Sequence, residues 1–222
     1  MKAQIFSVTA KAIVAMDLFR PGDKDMGAIS GINIRPDGRG GSLLAALNGH
    51  QAALLHEPFS ECQEEVTITP SKAFIKALKE VVNEPFSLVR YDGERLSLTM
   101  GENTLMDQHD SCAVKDLSDY PKLTFVAQAE GRRRQGYKPS SLTIPYDGLK
   151  PFQAVAKLYG ADKVDRAVSM YPSGPEAPCL VRMDCNVNFL GVIMPMMLTP
   201  GAEGDFPERT QALAGFEGLD AA

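Results

Sequence analysis

Apolar positions along this chain gather into three stretches of helical period, each followed by shorter strand-like runs, so that one unit is repeated. The clearest helix follows Thr69-Pro70-Ser71, where a proline and a capping hydroxyl precede Lys72 to Val82. Phe74, Ile75, Leu78, Val81 and Val82 recur at the spacing of one helical face, and Lys72, Lys76 and Lys79 form a stripe on another. An earlier helix, about Ser7 to Phe19, has Ala12, Ile13, Met16 and Phe19 as its apolar positions, with Lys11 set apart. A later one, about Tyr146 to Tyr159, turns Leu149, Phe152, Val155, Ala156 and Tyr159 inward and sets Lys150 and Lys157 seven apart on one face. Pro151 falls in its first turn, where the missing N–H is harmless.

Strands are predicted at Ile29 to Arg35, Ser42 to Ala46, Gln51 to His56, Glu65 to Thr69, Phe86 to Tyr91, Arg95 to Met100 and Leu105 to His109. Further strands are predicted at Leu123 to Gln128, Ser141 to Pro145, Val164 to Met170, Leu180 to Asp184 and Phe189 to Leu198. Asp37-Gly38, Asp92-Gly93 and Gly101-Glu102-Asn103 are turn signals between neighbours, so antiparallel hairpins follow and βαβ crossovers do not. The class is α+β. From Thr199 onward Gly, Ala, Pro and Glu prevail without period, which predicts a flexible tail over 199–222.

The run Leu190 to Leu198 is too short to cross a bilayer and too uniform for a half-exposed strand. Two readings are open: an ordinary core strand, or one wall of an apolar groove. Its methionines suit a groove that accepts several partners, because a flexible thioether repacks at little cost.

At 222 residues the chain is long enough for one large or two small domains. Apolar residues at 44% and charged residues at 23% are globular values, which excludes disorder and fibrous repeats. A formal charge of -5 excludes a protein basic all over, so contact with nucleic acid has to come from a local patch. Cys62, Cys112, Cys179 and Cys185 form no CxxC pair, and His50, His56 and His109 complete no zinc spacing, so no metal or cofactor is expected. Reduced, buried thiols are the reading. Met1-Lys2 is not followed by a signal peptide, since Ile13, Val14, Met16 and Leu18 are interleaved with Thr9, Lys11 and Asp17. A soluble cytoplasmic protein is expected.

Three segments then resemble, in order, parts of the bacterial DNA polymerase III beta subunit, the beta sliding clamp. Leu47-Asn48-Gly49-His50-Gln51-Ala52 resembles the family's Thr-Asp-Gly-His-Arg-Leu turn, one wall of its peptide pocket. Asp119-Tyr120-Pro121 resembles the Phe-Pro-Asp-Tyr region that joins its middle domain to its last. Val192-Ile193-Met194-Pro195-Met196 and Leu198 resemble the Val-Val-Met-Pro-Met-Arg-Leu ending, the opposite wall. The likeness covers about residues 5 to 198: 1–120 resemble the middle domain and 121–198 a shortened last domain, with no counterpart of the N-terminal one. Gln51 and Met197 stand where the family has arginines, which removes two bidentate donors and predicts a more apolar pocket.

The resemblance implies a DNA-clamp-like fold and a processivity factor without bond chemistry, which encircles duplex DNA as a homo-oligomer and holds polymerase or partner peptides in an apolar groove. Groove candidates are Leu47, Asn48, Gly49, His50, Tyr120, Pro121, Val192, Ile193, Met194, Pro195, Met196 and Leu198. Lys72, Lys76, Lys79, Lys150 and Lys157 are the DNA-facing candidates, with Arg132, Arg133 and Arg134 as a second patch. Each set also has a bland reading: a lysine stripe is a solvated face, the arginines a solvated loop, His50 a satisfied turn residue. The alternative function is a clamp-like peptide-binding accessory, or competitor of a full-length clamp, that forms no ring. Gln211-Ala212-Leu213-Ala214-Gly215-Phe216 resembles the Gln, Leu and Phe pattern of peptides that dock on clamps; the other reading is a flexible leftover. An enzyme is the third class. P-loop, nucleophile elbow and HExxH helix are absent, the turn Gly38-Arg39-Gly40-Gly41 lacks a following helix and lysine, and a Cys62 or Cys112 thiol beside His50 or His109 is the one nucleophile to test.

Overall fold

The computed structural model describes residues 4–21, 30–109, 113–114, 129, 144, 147–160, 162, 166–174 and 177–195. Chain order begins with β1 (Phe6–Thr9), α1 (Ala10–Asp17), β2 (Ile32–Pro36), β3 (Ser42–Leu47), β4 (Gln51–Glu57) and the short β5 (Glu61–Cys62). A second unit follows as β6 (Val66–Ile68), α2 (Lys72–Val81), β7 (Ser87–Tyr91), β8 (Arg95–Met100) and β9 (Asn103–His109). After β10 (Ala113–Val114) come α3 (Lys150–Tyr159), β11 (Val168–Tyr171), β12 (Cys179–Met183) and β13 (Asn186–Ile193). The class is α+β with antiparallel pairing in both sheets.

The first two units exchange their leading strands. β1 pairs with β7 of the second unit, and β6 pairs with β2 of the first, which yields one sheet ordered β5-β1-β7-β8-β9 and the core of another. That second sheet runs β10-β6-β2-β3-β4-β13-β12-β11, because β13 adds to the edge of β4 with Leu190 opposite Leu54 and Val192 opposite Ala52. The third unit thus extends the sheet of the first.

Local sequence explains the helices. Ser71 caps α2 by accepting the Phe74 N–H at 3.1 Å, Phe74, Ile75 and Leu78 are buried, and Lys72, Lys76 and Lys79 are exposed. In α3, Phe152, Val155 and Ala156 are buried while Lys150 and Lys157 reach solvent. The first helix differs from expectation: it starts at Ala10, and Phe6 to Thr9 form β1. Thr9 supplies the break, since its hydroxyl accepts the Ala12 N–H at 3.1 Å and caps the helix there. α1 is also buried nearly all round, with Ala12 to Met16 inside, because it packs against α2, α3 and strands of both sheets.

One core joins all three units. Phe19, just past α1, lies with its ring centroid 5.0 Å from Phe152 of α3 and 5.9 Å from Phe189 of β13. Gly191 lets the Phe152 ring lie against β13, since a Cβ there meets that ring at 2.2 Å. The closing strand is shorter than the sequence suggested: β13 ends at Ile193, and Met194 and Pro195 lie beyond it. The proline has no N–H to extend the ladder.

Candidate functional site

The site grows from a three-residue bend. β3 delivers Leu47, and the chain reverses through Asn48, Gly49 and His50 into β4. The Asn48 carboxamide oxygen accepts the backbone N–H of His50 at 3.1 Å and of Gln51 at 2.9 Å, closing an Asx-type turn. Gly49 has φ of 88°, a left-handed conformation that glycine adopts without strain. The second wall is the end of β13, whose pairing with β4 continues one step past the strand: the Met194 N–H donates to the His50 carbonyl at 2.8 Å.

Between these walls lies a cleft of about 280 Å³ lined by Leu47, Gly49, His50, Gln51, Ala52, Pro178, Val192 and Met194. Its floor is apolar: Leu47, Ala52 and Val192 belong to a small buried cluster with Leu180 and Ala129, separate from the main core. Met194 is 37% exposed and stands at the rim. The Gln51 side chain donates to the Gly148 carbonyl, which ties the bend to the turn before α3.

Five of the groove candidates meet in this cleft: Leu47, Gly49, His50, Val192 and Met194. Three do not line it. Asn48 uses its side chain inside the turn, Ile193 points to the opposite face of the sheet and joins the main core at 0% exposure, and Pro195 is half-buried beside the lining. The strand period of two separates Val192 from Ile193. Tyr120, Pro121, Met196 and Leu198 lie outside the described residues, as do Arg132, Arg133, Arg134 and the tail. Gln51 and Ala52, which the sequence reading placed in the pocket turn but not among the groove candidates, also line the cleft, and Pro178 is the lining residue that it missed. Gln51 and Ala52 follow the bend directly, whereas Pro178 enters only because β12 pairs Cys179 with Ile193, and no local signal announces that.

The lysine candidates occupy the exposed sides of α2 and α3. Lys72, Lys76 and Lys79 border a notch with Arg20 and Asp17 from the end of α1, where Arg20 is held by Asp17 at 2.6 Å. Lys150 forms an ion pair with Asp147, and Lys157 is exposed one face-repeat further along α3. α1 contributes only Lys11, half-buried with its ammonium 5.5 Å from the centroid of the Tyr159 ring.

A polar cluster sits where α1 meets β4 and α3. Both carboxylate oxygens of Glu57 accept from Thr9, one from the backbone N–H at 3.2 Å and one from the hydroxyl at 3.1 Å. Burial pushes the Glu57 carboxyl above its ordinary value, against the Thr9 hydrogen bonds and the charges of His56 and Lys11. The Tyr159 hydroxyl is buried without a hydrogen-bond partner, and desolvation, then Glu57 and Cys185, raise it. Burial also raises the Cys62 thiol, which donates to the Glu64 carbonyl at 3.2 Å rather than to a histidine. A thiol held protonated is a poor nucleophile. Among the described residues no group of His, Cys, Asp and Glu is placed to hold a metal ion.

No family model matches the chain. No curated protein matches it either. Solved structures do. The DNA polymerase III subunit beta of Borrelia burgdorferi, in complex with a natural product, aligns with a TM-score of 0.54 at 15% identity over 90% of this chain and 65% of its own. The Pseudomonas aeruginosa subunit gives 0.56 and 13% over 89% of this chain and 68% of that one. The Streptococcus pneumoniae beta chain gives 0.58 and 11% over 89% and 66%. At such identities the fold is what is shared: this chain has the fold of DNA polymerase III beta sliding clamps. It spans 65% of the length of the Borrelia protein.

Proposed function

We propose that this chain is a sliding-clamp-like processivity factor that surrounds duplex DNA as a homo-oligomer and tethers a polymerase or partner peptide in the cleft beside His50 and Met194. The observation that carries the reading is the cleft. A bend and a strand end that are far apart in sequence form one apolar groove through the β4–β13 pair. An extended peptide fits such a site by placing apolar anchors on Leu47, Val192 and Met194, while Gly49 leaves room for its backbone. The reading takes residues 1–120 as equivalent to the middle clamp domain and 121–198 as a shortened last domain. It includes Tyr120, Pro121, Met196 and Leu198 in the groove and Arg132, Arg133 and Arg134 in the DNA surface.

The lysines support the DNA half of the reading. Lys72, Lys76 and Lys79 on α2 and Lys157 on α3 are solvent-facing in a chain with formal charge -5, so each helix offers cations on an acidic body. Phosphate neutralisation by such side chains is independent of sequence and sensitive to salt, as sliding requires. The role is mechanical, with no catalysis, and the site of action is the cytoplasm. No helix among the described residues is long and apolar enough to cross a membrane.

A second reading, a peptide-binding accessory or competitor without a ring, is favoured by one fact: the lining of the described cleft comes from a single chain, whereas a ring needs several. Mass measurement in solution at low and high salt, with and without nicked circular duplex DNA, separates the two. Oligomers retained on the circle until it is linearised support the ring. A monomer at every concentration that ignores DNA sinks it, and peptide binding by that monomer leaves the second reading standing.

A further inference from the structure

We infer that the chain's own segment Gln211 to Phe216 occupies the cleft between the Gly49–His50 bend and β13, so that the groove is self-occluded until a partner peptide displaces it. The inference rests on reading the cleft as a peptide site, and it names how that site is regulated. Three observations lead to it. The chain leaves β13 through Met194 and Pro195 at the cleft's own rim, and 27 residues follow. Within that stretch Leu213 and Phe216 stand three apart, a separation of about 10 Å in an extended chain, so one short segment presents two apolar anchors. The cleft offers apolar contact on Leu47, Val192 and Met194, and the exposed His50 in its lining carries an imidazole that can exchange a hydrogen bond with a carboxamide such as that of Gln211.

The tether makes weak contacts sufficient. From Pro195 to Gln211 are 16 residues, and a coil of that length has a root-mean-square span of about 22 Å, enough to loop back on its origin. Its effective concentration at the groove is on the order of millimolar. For a tail whose bimolecular dissociation constant is about a tenth of that effective concentration, the tether weakens any competing peptide about tenfold. The groove then opens only to partners that bind more tightly than the tail.

The test uses the full chain and its Leu213→Ser/Phe216→Ser variant, with thermal melts confirming that both are folded. The probe is a fluorescein-labelled synthetic peptide of residues 209–222. The variant is expected to bind it about tenfold more tightly than the wild type. The gain should be independent of protein concentration and be abolished by adding Met194→Lys. Equal affinities in variant and wild type overturn the inference, and a gain that varies with protein concentration places the tail on a neighbouring copy and overturns it as well. If a clamp-binding peptide from a bacterial polymerase binds the variant while the tail peptide does not, self-occlusion falls and the groove reading stands. If neither peptide binds, both fall.

Discussion

The backbone N–H of Met194 donates to the carbonyl of His50 at 2.8 Å, and this bond holds the two walls of the cleft in register. The bond belongs to the main chain, so the Met194 side chain is left to the rim, 37% exposed. Met194→Lys is therefore expected to leave thermal stability nearly unchanged and to weaken a bound clamp-binding peptide at least tenfold, about 1.4 kcal/mol or more. Fluorescence anisotropy with a labelled peptide measures this; an unchanged affinity removes Met194 from the groove.

Gly191 lets the Phe152 ring lie against β13, where a Cβ meets that ring at 2.2 Å. Gly191→Ala is expected to destabilise the chain by about 1–3 kcal/mol, the usual cost of overpacking. In a Phe152→Leu background the penalty of the same substitution should shrink, because the clashing ring is gone. Urea denaturation of the four chains gives the coupling, and equal penalties in both backgrounds contradict the proposed contact.

Glu57 gives a pH signature whose sign is opposite to that of a salt-bridged carboxylate. Its folded value is raised by burial above the ordinary 4.5, so the folded state holds the proton more tightly than the unfolded chain does. The associated stability is present below pH 4.5 and is lost as pH rises through the raised value. Glu57→Gln removes this dependence while keeping one acceptor for Thr9. Between pH 4.5 and 7 the stability difference should move in favour of the variant. Melting curves across that range check it, and a difference that is flat or moves the other way refutes the burial account.

Lys72, Lys76 and Lys79 share the exposed side of α2. If each neutralises one phosphate, replacing all three by alanine should lower the magnitude of the salt slope of duplex binding by about 2.7, at about 0.9 per contact. Binding isotherms on duplex DNA at several salt concentrations measure the slope. An unaltered slope assigns this stripe to a solvated face.

Two helices and most hairpins were legible in the chain because their signals are local. In α2 the alternation of Phe74, Ile75 and Leu78 with Lys72, Lys76 and Lys79 reports a half-buried helix directly. β3 and β4 were bounded by the Asn48-Gly49-His50 bend, and β8 by the Asp92-Gly93 turn. α1 was harder: a helix buried on nearly every side has little amphipathic contrast, and β1 was absorbed into its predicted span. The walls of the cleft were legible as two segments and not as a surface. Val192 and Ile193 are chain neighbours of similar chemistry, yet one lines the cleft and the other joins the main core.

By itself the sequence determined the periodic elements, their antiparallel turns, the lysine stripes and the two segments with groove character, since propensity, capping and turn chemistry act over a few residues. Tertiary structure alone decided that β1 and β6 change places between units, that β13 closes on the edge of β4, and that Pro178 joins the cleft. Strand pairing is made by backbone groups that every residue carries, so which edges meet depends on the side chains that share a core, here Phe19, Phe152 and Phe189, and these are brought together only when the whole chain has folded.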